Sequence, residues 1–232
     1  DTQNEVVKEE KRTRMDNQPY GRFQAVVKEN LFKKHPYRWA TIGSMEHLDA
    51  ATLEEFQAFN KKFYIPNNAV LVVAGDFKKD QAKKWIAQYF GTIPKGAPIK
   101  REQFIEEPIT ETIKARFEDN NIQIPAIVAA YRTPSMKTRD ARVLDLISSY
   151  LSDGKSSKLY KKIVDDKKIA LQVGAFSNSQ EDYGMYILYG LPMGQNSPTD
   201  ILKEIDEEIT KLQTELISEK DYQKLQNKFD NN

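Results

Sequence analysis

Three places in the sequence hold residue types that could do chemistry. Glu9 and Glu10 stand together within residues 4–16, NEVVKEEKRTRMD, which read as a polar helix with Val6 and Val7 on its apolar side. A carboxylate on a helix can serve as the third protein ligand of a zinc ion when two histidines arrive from elsewhere. The same residues also fit a solvated face tied by i,i+4 pairs such as Glu10 with Arg14. The only histidines, His35 and His47, lack the i,i+4 spacing that puts two ligands on one helical face, and they fit packing or loop roles. Gly154-Lys155-Ser156-Ser157 has the look of a phosphate-loop ending. Ser149 stands where that loop needs its first glycine, and the flanks read as helix and helix, so the phosphate reading is discarded.

The composition limits what these residues can be part of. Of 232 residues, 39% are hydrophobic and 30% charged, a globular balance on the charged side. No apolar stretch is long enough to predict a membrane-crossing helix, and no apolar segment follows a basic start to predict a signal peptide. Lys plus Arg (35) nearly cancels Asp plus Glu (34), and a net charge of +1 argues against a nucleic-acid partner. The absence of cysteine excludes disulfides, cysteine–zinc sites, iron–sulfur clusters and thiol catalysis within this sequence. With two histidines, a self-contained histidine metal site or catalytic triad is hard to build. The sequence opens at Asp1 and stops at Asn232 within a helical pattern, and is read as a segment of a longer protein.

The elements that must position these residues follow from periodicity. Residues 20–32 repeat apolar side chains at helical spacing. Thr52 to Glu55 is a capping-box pattern, opening a helix expected to carry Leu53, Phe56, Phe59 and Phe63 inward. Residues 69–74 form an apolar run expected to be a buried strand ending at Gly75-Asp76, and residues 80–90 another amphipathic helix. Residues 91–111, rich in proline, glycine and charge, read as a surface linker. Beyond it, strands are expected at 113–117, 122–131, 169–176 and 183–191, and helices at 141–152, 156–164, 201–216 and 218–229. Adjacent strands with short loops predict an α+β fold: two-layer mixed sheets with helices packed on one face.

Several of these stretches resemble the pitrilysin/insulinase family of zinc peptidases. Residues 5–14, EVVKEEKRTR, are similar to the family helix that carries the third zinc ligand, and residues 18–22, QPYGR, to the segment after it. The strongest similarity runs from Leu48 to Phe77, where a helix leads into Tyr64-Ile65-Pro66-Asn67-Asn68, an apolar run and Gly75-Asp76. Residues 156–164 and 168–174 resemble part of the next family domain. The resemblance implies a metallohydrolase fold, zinc as cofactor, peptides as substrates, and Glu10 as the metal ligand. It further implies a homologous partner subunit or a homodimer. The family's H-x-x-E-H helix, with two histidine ligands and the water-activating glutamate, occurs nowhere in the sequence and would lie upstream of Asp1, so no catalytic residue is expected within these residues.

The departures from the family pattern carry information too. Gln3 replaces the carboxylate often found seven residues before the ligand. Val164 and Leu171 stand where the family's non-catalytic half carries a substrate-contacting arginine and tyrosine. The resemblance divides the chain into residues 1–95 as the later part of a first, zinc-bearing domain, 96–111 as linker, and 112–232 as most of a second domain. Half of one core would then be missing, and the apolar surface left uncovered favours self-association. The expected function is part of a zinc metalloendopeptidase, inactive as this segment. The alternative is a non-catalytic homologue acting as a scaffold or substrate-binding subunit. The compartment stays open, with a bacterial periplasm or other exported location preferred.

Overall fold

The computed structural model describes residues 2–231. The sequence-predicted α+β class holds, and the order is five helices followed by a strand, a helix, two strands and two helices. The helices are α1 (Thr2–Lys11), α2 (Phe23–Leu31), α3 (Met45–Ala50), α4 (Leu53–Phe63), α5 (Lys79–Phe90), α6 (Arg139–Ser152), α7 (Pro198–Thr214) and α8 (Glu219–Asp230). The strands are β1 (Ile127–Pro134), β2 (Ala170–Ser179) and β3 (Tyr183–Pro192).

The sheet has the order β1-β3-β2 and is antiparallel throughout, which corrects the expectation of a mixed sheet. β3 is central, and Gly184 to Leu188 are buried without a break, as a strand covered on both faces must be, with successive side chains pointing to opposite faces. Tyr186 and Leu188 point to one face, where they meet Leu151 of α6, Ile163, and Ile201 and Ile205 of α7. Met185 and Ile187 point to the other, where they meet Val27, Leu31 and Phe32 from α2 and the residue after it. The expected helices α6 and α7 thus share one face, and α2 covers the opposite one. At Gly190 a Cβ would come within 2.5 Å of Ile201 Cγ2, so glycine there lets α7 lie close on β3.

Other boundaries also shift. The helix expected at 156–164 starts two residues later, at Lys158, and widens into a π-helix over Tyr160–Asp166. Residues 113–117 and 122–126 form no strand; pairing begins only at Ile127, opposite Gly190, close to where β3 ends at Pro192. In the first region, Thr52 and Glu55 make the predicted capping box, with Glu55 N–H donating to Thr52 Oγ1 at 3.2 Å and Thr52 N–H to Glu55 Oε2 at 2.9 Å. Two expectations there fail. Residues 69–74 are extended but unpaired and exposed, Val70 at 89%, because no neighbouring strand receives them. Leu53, Phe56 and Phe59 of α4 are more than half exposed, because no sheet lies beneath that helix. No helix of the described residues is long and apolar enough to cross a membrane.

Candidate functional site

Glu10 lies on the last turn of α1, a helix whose sequence suits its own dipole, with Glu5 in the first turn and Lys8 and Lys11 in the last. The Glu10 carboxylate pairs with Arg14 at 2.6 Å, an i,i+4 ion pair, and keeps 38% of its side chain exposed. Glu9 pairs with Arg12 at 3.1 Å. The helix then widens into a π-helical turn, Arg12–Asp16, closed by Asn17 N–H donating to Arg12 O at 2.8 Å and by Lys11 on Asp16 at 2.9 Å. Side chains of α1 reach α3, with Lys8 on Asp49 and the Asn4 amide donating to Leu48 O.

The histidines do not join Glu10. His47 is exposed on α3, where its N–H caps onto Ser44 Oγ at 3.1 Å. His35 is buried between the rings of Tyr37, Tyr183, Phe104 and Phe32. Its Nδ1 accepts from Tyr37 N–H at 3.1 Å, so the neutral ring carries its proton on Nε2, which faces Asp182 Oδ2 at 3.3 Å. Among the described residues no group of three or more His, Asp or Glu side chains is arranged to hold a metal ion. Glu10 therefore stands as a partly solvent-open carboxylate paired with an arginine of its own helix face. Gln3 is exposed, and Gly154-Lys155-Ser156-Ser157 is a turn with Gly154 at φ +72°. Leu171 is the extra residue of a β-bulge, half exposed at the start of β2, while Val164 packs against the core. A shallow cleft of about 400 Å³ runs along this edge between Lys155, Tyr160, Gln172 and Tyr189.

The most heavily built polar cluster lies in the stretch expected to be linker. Glu106 keeps only 2% of its side chain exposed. Its carboxylate accepts from the N–H groups of Lys33 (2.9 Å), Lys34 (2.7 Å) and His35 (2.7 Å), and from Arg132 Nη1 at 3.1 Å. Arg132 also donates to Leu31 O at 3.0 Å and to Glu107 O, and lies over the ring of Tyr183. The Tyr183 hydroxyl accepts from Glu106 N–H at 3.0 Å. Burial pushes the Glu106 carboxyl up, but the three N–H bonds and the Arg132 charge outweigh it and hold the group below the usual carboxylate range. The sequence hides this residue: Glu106-Glu107 in a proline-rich run reads as a solvated pair, and the one hint is the apolar Phe104-Ile105 beside it.

The family described as the peptidase M16 inactive domain matches residues 50–229. The chain belongs to this family. The M16 match begins beyond α1, so Glu10 lies outside it. A zinc protease, PqqE, from Helicobacter pylori is 28% identical over 188 residues, covering 79% of this chain and 42% of that protein. A non-peptidase homolog, YmxG, from the same species is 24% identical over 152 residues, covering 66% of this chain and 35% of that one. The crystal structure of a protease from Helicobacter pylori superposes with a TM-score of 0.80 at 26% identity, covering 97% of this chain and 55% of that chain. The M16 chain described here thus spans less than half the length of these curated relatives. Residues 50–229 are the inactive-domain portion of a protease-like protein.

Proposed function

We propose that this chain is the later part of a zinc peptidase unit, in which Glu10 supplies one metal ligand and the remaining ligands and the general base come from residues outside this sequence. The observation that carries the reading is the Glu10 carboxylate itself. It stands on a helix whose side chains reach α3, open to solvent, and tied to a flexible i+4 arginine on its own face. The naming of PqqE as a zinc protease supports zinc in the longer protein. When bound, zinc would polarise a scissile carbonyl and lower the pKa of its water to about 7. Glu10 would hold the metal and release Arg14 to solvent. Residues 127–230 would act as the rigid base on which α2 rests. In this reading residues 1–95 complete a first domain, 96–111 link, and 112–232 form most of a second. Peptides are the substrates, a homologous partner subunit or a second copy is the partner, and the location is exported.

A second reading, a non-catalytic scaffold or substrate-binding homologue, is favoured by the inactive-domain match and by the non-peptidase relative. One experiment separates them. The complete natural polypeptide and residues 1–232 alone are assayed side by side on unstructured peptides with zinc, with and without chelator. The peptidase reading expects chelator-sensitive cleavage by the complete polypeptide, none by the 232 residues, and none after Glu10→Gln. An inactive complete polypeptide would favour the scaffold, and cleavage by the 232 residues alone would refute the division of the site.

A further inference from the structure

The segment that carries Glu10, from α1 to the end of α2, meets the rest of the molecule at three places. At the end of α2, Glu106 gathers the N–H groups of Lys33, Lys34 and His35, and Arg132 holds Leu31 O, so a residue of the 91–111 stretch and a residue of β1 together close on the outgoing chain. At the turn before α2, Asn121 Nδ2 donates to Asp16 O at 2.9 Å and the Tyr20 hydroxyl donates to Ile124 O. Tyr20 there has φ +60°, a left-handed conformation unusual for a tyrosine. At α1 itself, Lys8 and Asn4 reach only α3, a six-residue helix without buried residues.

These contacts differ in stiffness. The α1–α3 tie is a surface ion pair and one amide bond, of the kind that contributes little. The Glu106–Arg132 cluster is buried, charge-assisted and fully partnered on its carboxylate, and it rests on the sheet whose strands form the core. Glu106 and Arg132 make no contact with α1, so they can act on Glu10 only by fixing where α2 leaves the sheet.

We infer that Glu106 and Arg132 are positioning residues, a buried clasp that fixes the end of α2 on the sheet of the second region and, through the run of residues 12–22 held at Asp16 and Tyr20, the helix that carries Glu10. The part concerning Glu10 rests on the zinc reading above. These 232 residues hold no cysteine, so, with any cysteine elsewhere in the complete polypeptide replaced by serine, Thr13→Cys and Glu181→Cys place a spin-label pair on the α1–α2 segment and on the β2–β3 turn. In the complete polypeptide the pair gives one narrow distance distribution. Glu106→Gln and Arg132→Met broaden it while amide exchange in β3 stays protected, and Glu106→Gln weakens zinc binding about tenfold, as loss of supporting contacts around a metal ligand does. If Glu106→Gln fails to fold, Arg132→Met, which leaves the three backbone bonds to Glu106 in place, carries the test. A narrow distribution in the folded clasp variants overturns the inference whatever zinc does. A broadened distribution with unchanged zinc binding, while Glu10→Gln removes the metal, overturns the effect on Glu10. A broadened distribution with zinc unaffected by Glu106→Gln and by Glu10→Gln alike leaves the clasp standing and sinks the zinc reading.

Discussion

Helices α4 and α7 both open with a capping box and both carry an apolar stripe, yet α7 buries Ile201 and Ile205 while α4 leaves Leu53, Phe56 and Phe59 more than half exposed. The difference lies under the helix. α7 rests on β3, where Gly190 admits it closely, and its polar edge is fastened by Lys162, whose amine lies 3.0, 2.8 and 3.1 Å from Glu204, Glu207 and Glu208. Beside α4, residues 69–74 run extended with no strand beside them. Capping and periodicity are local and are satisfied in both places; burial needs a second surface, and only residues 127–230 bring one. The first region is joined to that core through α2 and the Glu106 clasp rather than through a sheet of its own.

The comparison can be broken or sharpened by substitution. The largest effect is expected at the joint. Glu106→Ala strands three backbone N–H groups and the Arg132 charge in a buried site, and should cost about 3–5 kcal/mol in urea unfolding. The same carboxylate gives a pH signature. Its folded pKa lies below its ordinary value, as do those of Glu204 and Glu208, where burial pushes upward but Lys162, Lys167 and Lys211 outweigh it. The stability these groups contribute is present above the ordinary carboxylate pKa, about 4.3, and is lost as pH falls through the depressed folded values. Stability should be level from neutral pH to about pH 5 and fall below about pH 4, and Glu106→Gln should flatten that fall. Lys162→Met leaves three carboxylates facing one another at a partly exposed site and should cost about 2 kcal/mol by thermal melting. Gly190→Ala pushes a methyl against the buried Ile201 and should cost about 1–3 kcal/mol by the same measurement. Phe59→Ala on α4 should change the unfolding of the 232-residue chain by less than about 0.5 kcal/mol, since its ring is exposed here. In a longer polypeptide the same change should cost about 3–5 kcal/mol if a further sheet covers that face. Equal small effects in both would mean that α4 stays uncovered.

The sequence made local structure legible and tertiary partners less so. The Thr52–Glu55 cap, the limits of α6 and the β2–β3 hairpin could all be read from residues a few positions apart. The false strand at 69–74 came from the same kind of signal, because an apolar run states a need for burial without saying what will supply it. Glu106 was missed for the converse reason: its partners, Lys33 to His35 and Arg132, lie far away in the chain, and nothing in the Glu106-Glu107 pair distinguishes the buried carboxylate from the exposed one. For Glu10 the residues alone offered both a ligand and a surface ion pair; the Glu10–Arg14 pair is present, and the ligand reading rests on what the rest of the polypeptide contributes.

Metal analysis of three preparations tests that reading most directly: residues 1–232, the complete natural polypeptide, and the complete polypeptide carrying Glu10→Gln, each dialysed against mild chelator. The account predicts no retained zinc in the first, about one zinc per chain in the second, and loss of that zinc in the third without loss of fold, since Glu10 lies on a polar helix face. Stoichiometric zinc in the 232 residues alone, or zinc retained by the folded Glu10→Gln variant, would contradict it.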